Sequence, residues 1–380
     1  MKGSRSDRKA LLSGARRVVI KIGSSVLTDK GAGLDQKRVE HIASEISSIL
    51  KGRRQVIVVS SGAIAAGLAK LGIKKTRGMP LPIKQAAAAV GQSSLMWMYE
   101  KTFGAHGRKV AQVLLTREDL SNRTRFLNAR NTFQTLLEYD VIPIVNENDT
   151  VAVDEIRFGD NDNLSAMVVH LVDADMLVIL SDVDGLYTAD PRLDPDARLL
   201  PVVEKITFEM ERAAGDAVSG VGTGGMRSKI MTAKKVSAYG TPLVIVNGRT
   251  AGILSALFEG REVGTLFLPK SRPKRSRKHW IAYIACTTGG LVVDDGGRDA
   301  LVNKGRSLLP SGVVKIEGRF KAGECVSCID IKGNTFARGL TKYSSEDLEK
   351  IKGLKTSEIE RVLGHKDYDE VIHRDDLVIL

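Results

Sequence analysis

The chain has 380 residues, 43% hydrophobic and 27% charged, a size and mixture typical of a globular protein with two or three domains and cores of their own. Three cysteines are too few for a disulfide framework, and no apolar run nears the roughly 18 residues of a membrane span. The opening MKGSRSDRKALLSGARR has no apolar stretch behind its charges, so no secretory signal and a cytoplasmic location are expected.

The formal net charge of +12 is concentrated. Met1–Arg17 carries six Lys/Arg and one Asp, and the segment from Lys270 to Lys278 carries six Lys/Arg and no acid. Basicity in a tail and a linker reads first as solvated segments, with nonspecific RNA contact the lesser alternative.

Residues 1–16 are therefore expected as a basic tail. From Arg17 to about Leu268, apolar runs at Val18–Ile22, Gln55–Ser60, Val110–Leu115, Ile142–Val145, Met176–Leu180 and Leu243–Val246 alternate with helix-like stretches. The helical stretches are Gln36–Leu50, Ile83–Thr102, Asn122–Tyr139 and Met226–Tyr239. Continuous Val/Ile/Leu runs mark strands buried on both faces. Strand–helix alternation then predicts an α/β three-layer sandwich with a mostly parallel central sheet, over residues 17–269.

KSRPKRSRKH breaks the pattern, and 270–278 reads as a basic linker. Beyond it, glycine-punctuated runs at Leu291–Val293, Val313–Ile316, Cys325–Ile331 and Phe336–Leu340 predict a small, mainly β domain over 279–365. Helical patterns follow near Ser344–Ile351 and Ser357–Leu363, and 366–380 is expected as a C-terminal tail. Cys325 and Cys328 form a C-x-x-C without a second ligand pair, and read as small buried apolar residues in a strand.

The motifs with chemical content follow the strands. VVIKIGSSVL places Lys21 at a strand end beside Gly23, Ser24 and Ser25, a turn whose amides and hydroxyls suit a phosphate. VIVVSSGAIAAG runs a buried strand into Ser60, Ser61 and Gly62 at the start of a helix, where amides favour an anion. IVNENDTV (Asn146, Glu147, Asn148, Asp149) and GDNDNLSA (Asp160, Asn161, Asp162, Asn163) are two amide–carboxylate clusters, each after an apolar run. Such alternation suits a zwitterion carrying both ammonium and carboxylate. LVILSDVDGLYTADP ends a strand at Ser181 and Asp182, and GTGGMRSK opens a helix with a glycine-rich turn one turn before Lys229. Lys21 and Lys229 could face each other across a transferring phosphoryl group. No G-x-x-x-x-G-K-[ST] occurs. Gly220, Gly222 and Gly225 satisfy G-x-G-x-x-G, but no strong strand precedes them and no acid follows at ribose distance, so a dinucleotide site is rejected.

Taken in order, SSGAIAAG, FLNAR, NENDTVAV, GDNDNLSA, DGLYTADP and GTGGMRSK resemble the amino-acid kinase family, most closely its branch that phosphorylates the side-chain carboxylate of glutamate at the start of proline biosynthesis. The C-terminal module resembles a PUA domain. That resemblance implies ATP and Mg2+, the metal carried by ATP with no ligand from the protein, and no membrane. It implies Lys21, Lys229 and Asp162 in catalysis, with Asp162 orienting the two lysines. It implies Ser61, Asp149, Asn161, Asn148 and Asp160 toward L-glutamate. Toward ATP it implies Lys21, Gly23, Ser24, Ser181, Asp182, Thr223, Gly224, Gly225, Met226, Arg227, Ser228 and Lys229. A homo-oligomer inhibited by proline, at a site overlapping that for glutamate, is expected on the same basis. PUA domains bind RNA elsewhere, but the module's sparse aromatics suggest an architectural or regulatory role.

Overall fold

The computed structural model describes residues 4–29, 33–50, 54–74, 76, 78–151, 161–213, 225–269, 280–281, 285 and 287–380. The expected linker at 270–278 lies outside the described residues. The chain divides into two compact units, Met1–Leu120 with Thr124–Pro273, and Lys274–Leu380 with Ser121–Arg123.

Through residue 269 the elements run α1 (Ser4–Gly14), β1 (Arg17–Ile22), α2 (Ser24–Leu27), β2 (Thr28–Asp29), β3 (Gly33–Leu34), α3 (Gln36–Ile49), β4 (Gln55–Val59), α4 (Ala63–Lys70) and α5 (Leu81–Gly104). Then come β5 (Lys109–Leu115), α6 (Arg117–Ser121), α7 (Arg123–Glu138), β6 (Val141–Glu147), α8 (Asn161–Leu171), β7 (Met176–Ser181) and β8 (Val202–Val203). The series ends with α9 (Phe208–Ala213), α10 (Met226–Ala238), β9 (Leu243–Asn247), α11 (Ile253–Phe258) and β10 (Thr265–Phe267).

The large sheet has the order β5-β6-β4-β1-β7-β9-β10-β8. Neighbours from β5 to β9 are parallel, and β10 returns antiparallel to β9. Strand alternation sorts β1 onto two faces. Val18, Ile20 and Ile22 join a core with Val39 and Ile46 of α3, Leu95 and Phe103 of α5, and Leu254 and Leu257 of α11. Lys21 falls between them and turns to the opposite face, against α8. His170 of α8 packs between Phe126 of α7 and Tyr239 at the end of α10, which ties those three helices into the second layer. The expected α/β sandwich with a mostly parallel sheet is thus observed.

Two expectations at the chain ends are corrected. The basic N-terminal segment is a helix, not a solvated tail: Leu12 is buried in the core, and the Arg8 guanidinium donates to the carbonyls of Pro201 (2.7 Å) and Val263 (2.5 Å). The residues beyond 365 also fold. β15 (Leu377–Ile379) pairs with β14 (Thr335–Leu340), and Val371 and Ile372 are fully buried. Short apolar groups among charges hid both segments from a reading based on runs.

The second unit is a five-stranded sheet built also from β11 (Thr287–Val293), β12 (Val313–Gly318) and β13 (Cys325–Asp330), in the order β12-β11-β13-β14-β15. Its core holds Leu291, Val293, Val326, Cys328, Ala337 and Leu377. Cys325 and Cys328 are buried thiols as expected, and burial pushes Cys328 up to about 12, an inert state.

Candidate active site

Parallel strands present their C-terminal ends along one edge, and here β1, β4, β6, β7 and β9 deliver Lys21, Ser60, Asn146, Ser181 and Asn247 to it. The chain leaves β1 for β4 on one side, while β7 lies on the other. This is the switch point at which open α/β sheets bind ligands.

At that point three charges meet away from water. Lys21 is 4% exposed, Lys229 6% and Asp162 0%. Lys21 Nζ pairs with Asp162 Oδ1, and Lys229 Nζ lies 3.4 Å from Oδ2. Burial alone would raise the Asp162 carboxyl, but the two ammonium groups outweigh it and hold the group below its ordinary value. An ionised carboxylate thus holds two buried cations side by side from three elements, β1, α8 and α10.

On the β4–β6 side the groups are amides and carboxyls. The two hydrogens of Asn161 Nδ2 are shared among three acceptors within hydrogen-bond distance, Ser60 O (2.9 Å), Ser61 Oγ (2.9 Å) and Asn146 Oδ1 (3.2 Å). Asn146 Nδ2 donates in turn to Gln92 Oε1 at 2.9 Å. Ser60 and Tyr99 hydroxyls lie 2.8 Å apart, both fully buried. Gln92 and Tyr99 stand two turns apart on α5, so that helix supports both strand ends. α5 is held close to α4 by glycine: a Cβ on Gly67 would sit 1.7 Å from Ala87 O, and one on Gly91 would sit 1.8 Å from Ala63 O. Gly62, at φ +103, makes the left-handed entry into α4 that a side chain would strain. Burial pushes Asp149 up to about 6; burial, then the Asp149 charge, pushes Glu147 up to about 7.

On the β7–β9 side, Gly23 N donates to Leu180 O (3.0 Å), and a Cβ at Gly23 would crowd that carbonyl at 3.3 Å. Arg249 reaches back to Ser25 O (2.8 Å), and Asn247 Nδ2 donates to Asp184 Oδ1 (2.9 Å). Ser181 is buried, with its hydroxyl 3.3 Å from Oδ1 of exposed Asp182. Ser24 is exposed at the start of α2. Gly225, extended, caps α10, whose first turn is Met226, Arg227 and Ser228. Among the described residues no side chain caps its leading amides, the kind of groups that suit an anion.

Of the residues expected at the site, Lys21, Lys229 and Asp162 come together directly, and Ser61 and Asn161 touch. Asn148 and Asp149 follow β6 in the turn just beyond. Asp160, Thr223 and Gly224 lie outside the described residues. Gln92 was not expected: it sits inside an alanine-rich helix, 54 residues before its partner, and no local pattern marks it.

The amino acid kinase family model matches residues 16–247 and the PUA domain model residues 289–363. Curated relatives named glutamate 5-kinase resemble nearly the whole chain. That of Geobacter sulfurreducens is 54% identical over 373 residues, covering 98% of this chain and 100% of its own. The Geobacter metallireducens protein is 55% identical over the same shares, and that of Syntrophus aciditrophicus 50% identical over 98% of this chain and 97% of its own.

Proposed function

This chain belongs to the amino acid kinase family, and from that premise we propose that it transfers the γ-phosphoryl group of ATP to the side-chain carboxylate of L-glutamate, forming L-glutamyl 5-phosphate for proline biosynthesis. The observation that carries the reading is the buried Lys21–Asp162–Lys229 cluster between two different polar surroundings. Amides and carboxyls lie on one side of it, and the N-terminus of α10 with a Gly-Ser turn on the other. The full-length likeness to proteins named glutamate 5-kinase supports the substrate.

The acceptor carboxylate ionises at about 4.3, so at neutral pH it needs no general base. One of its oxygens attacks the γ-phosphorus in line, the bond to the bridging oxygen of ADP breaks, and ADP leaves with that electron pair. Lys21 and Lys229 stabilise charge on the transferring oxygens, and Asp162 keeps both ammonium groups aimed at one point. Ser61, Asn148, Asp149, Asp160 and Asn161 bind glutamate, with the carboxylate of Asp149 facing its ammonium. Gly23, Ser24, Ser181, Asp182 and the segment 223–229 hold ATP.

Mg2+ suits this site as a passenger of the nucleotide. Exposed Asp182 and Asp184 would accept hydrogen bonds from its waters. When bound it neutralises phosphate charge. Among the described residues no helix is long and apolar enough to cross a membrane. The enzyme works in the cytoplasm on its ATP pool, as a homo-oligomer inhibited by proline.

The test is ATP turnover with L-glutamate, N-acetylglutamate or L-aspartate, trapping acyl phosphate with hydroxylamine, with and without proline. Hydroxamate from glutamate alone, suppressed by proline, is the expected result. Product from a different acid overturns the substrate, and no product from folded protein with Mg2+ overturns the reaction.

A further inference from the structure

The amides behind the glutamate side of the site have a polarity that two main-chain groups impose. The Glu147 N–H can only donate, and it donates to Asn146 Oδ1 at 2.9 Å. The Ser60 carbonyl can only accept, and it accepts from Asn161 Nδ2 at 2.9 Å. Asn146 must therefore turn its Nδ2 outward, where Gln92 Oε1 accepts it at 2.9 Å. Asn161 must turn its Oδ1 the other way. That Oδ1 is buried and has no hydrogen-bond partner among the described residues.

A buried acceptor without a donor is costly, so a ligand group that donates is what completes it. We propose that Gln92 is a positioning residue that selects α-amino acids: by accepting from Asn146 it holds in place the amide pair whose polarity the main chain sets, with the Asn161 carbonyl oxygen free, and the substrate's ammonium group donates to that oxygen. This rests on the glutamate reading above and adds a specificity element to it. The relay spans α5, the end of β6, the start of α8 and the turn after β4. Its outermost member lies a helix away from the reacting groups and acts only through Asn146.

Gln92 suits a clean test because its own Nε2 is buried without a partner among the described residues. Gln92→Met keeps the length of the side chain and gives up the one acceptor that matters, that for Asn146. Gln92→Glu retains an acceptor at the same place. The probes are L-glutamate and glutarate, the same diacid without the ammonium group, followed by turnover or, where glutarate does not turn over, by its competitive inhibition constant.

In Gln92→Met the KM for L-glutamate rises about tenfold, with kcat and the glutarate constant within about twofold of the parent, so discrimination between the two acids falls about tenfold. Gln92→Glu restores discrimination to within about threefold. Equal losses for both acids in Gln92→Met, or undiminished discrimination, overturn the proposal, as does a Gln92→Glu variant no better than Gln92→Met. Should Gln92→Met not fold, Gln92→Leu carries the same comparison. If the unsubstituted enzyme fails to phosphorylate glutamate, the functional reading falls. If it does so, and the Gln92→Met variant prefers glutamate over glutarate as strongly as the parent, only the relay falls.

Discussion

Lys229 Nζ lies 3.4 Å from Asp162 Oδ2, and both side chains are buried. Buried charge is retained where geometry satisfies it, and here the other oxygen of the same carboxylate holds Lys21. Lys21→Ala and Lys229→Ala are each expected to lower kcat more than ~100-fold while the circular-dichroism spectrum stays that of the parent. Near-normal turnover in either variant removes that lysine from the reaction.

Asp162→Asn tests the centre of the cluster. It leaves two cations buried without their counter-charge, which costs about 3–5 kcal/mol of stability when a buried partner is removed. Chemical denaturation should show that loss, and kcat should fall as well because the lysines lose their common anchor. A variant as stable as the parent contradicts the role of Asp162 as the charge that holds both lysines.

Glu147 and Asp149 set the pH dependence. Their carboxyls, at about 7 and about 6 in the folded protein, ionise near 4 when unfolded. The folded chain therefore binds more protons in that window, and this pair adds stability as pH falls through it and withdraws it as pH rises toward 7. Binding runs the other way, since a protonated carboxyl does not attract an ammonium group. The KM for L-glutamate should rise as pH falls from about 7.5 to about 5.5, with kcat less affected because Asp162 stays ionised. Asp149→Asn should raise KM at neutral pH and flatten that rise; an unchanged pH profile excludes Asp149 as its source.

The close seam between α4 and α5 carries a fourth expectation. A Cβ at position 91 would fall 1.8 Å from Ala63 O, a main-chain atom that cannot step aside alone. Gly91→Ala should therefore force the helices apart and cost about 1–3 kcal/mol in thermal or chemical unfolding. The same shift moves Ser61 and Gly62 at the start of α4, so KM for glutamate should rise too. Unchanged stability would show that the helices can separate freely.

The residues themselves announced the sheet. Strands buried on both faces leave no room for polar alternation, so their apolar runs stand out, and the polar or glycine residues that end them mark the candidate edge. Lys21, Ser61, Asp149, Asn161, Ser181 and the turn before Lys229 stood out as candidates for that reason, each lying at the end of a run, just past one, or at the opening of a helix. Both domain classes could be read the same way, because the small module replaces helical periodicity with glycine-spaced short strands. Tertiary structure alone decided which strand ends are neighbours. Strand order follows from how helices pack across the sheet, and only that packing brings α8 and α10 together so that Asp162 meets Lys21 and Lys229. It also decided the fate of weak segments. α1 and β15 carry too few apolar residues to announce themselves, and they fold because the rest of the chain offers a surface to Leu12 and a strand edge to Leu377–Ile379. Gln92 is the limiting case: one amide inside an alanine-rich helix acquires meaning only when Asn146 arrives 2.9 Å away, because a hydrogen bond is a relation between two places in space that no spacing along the chain encodes.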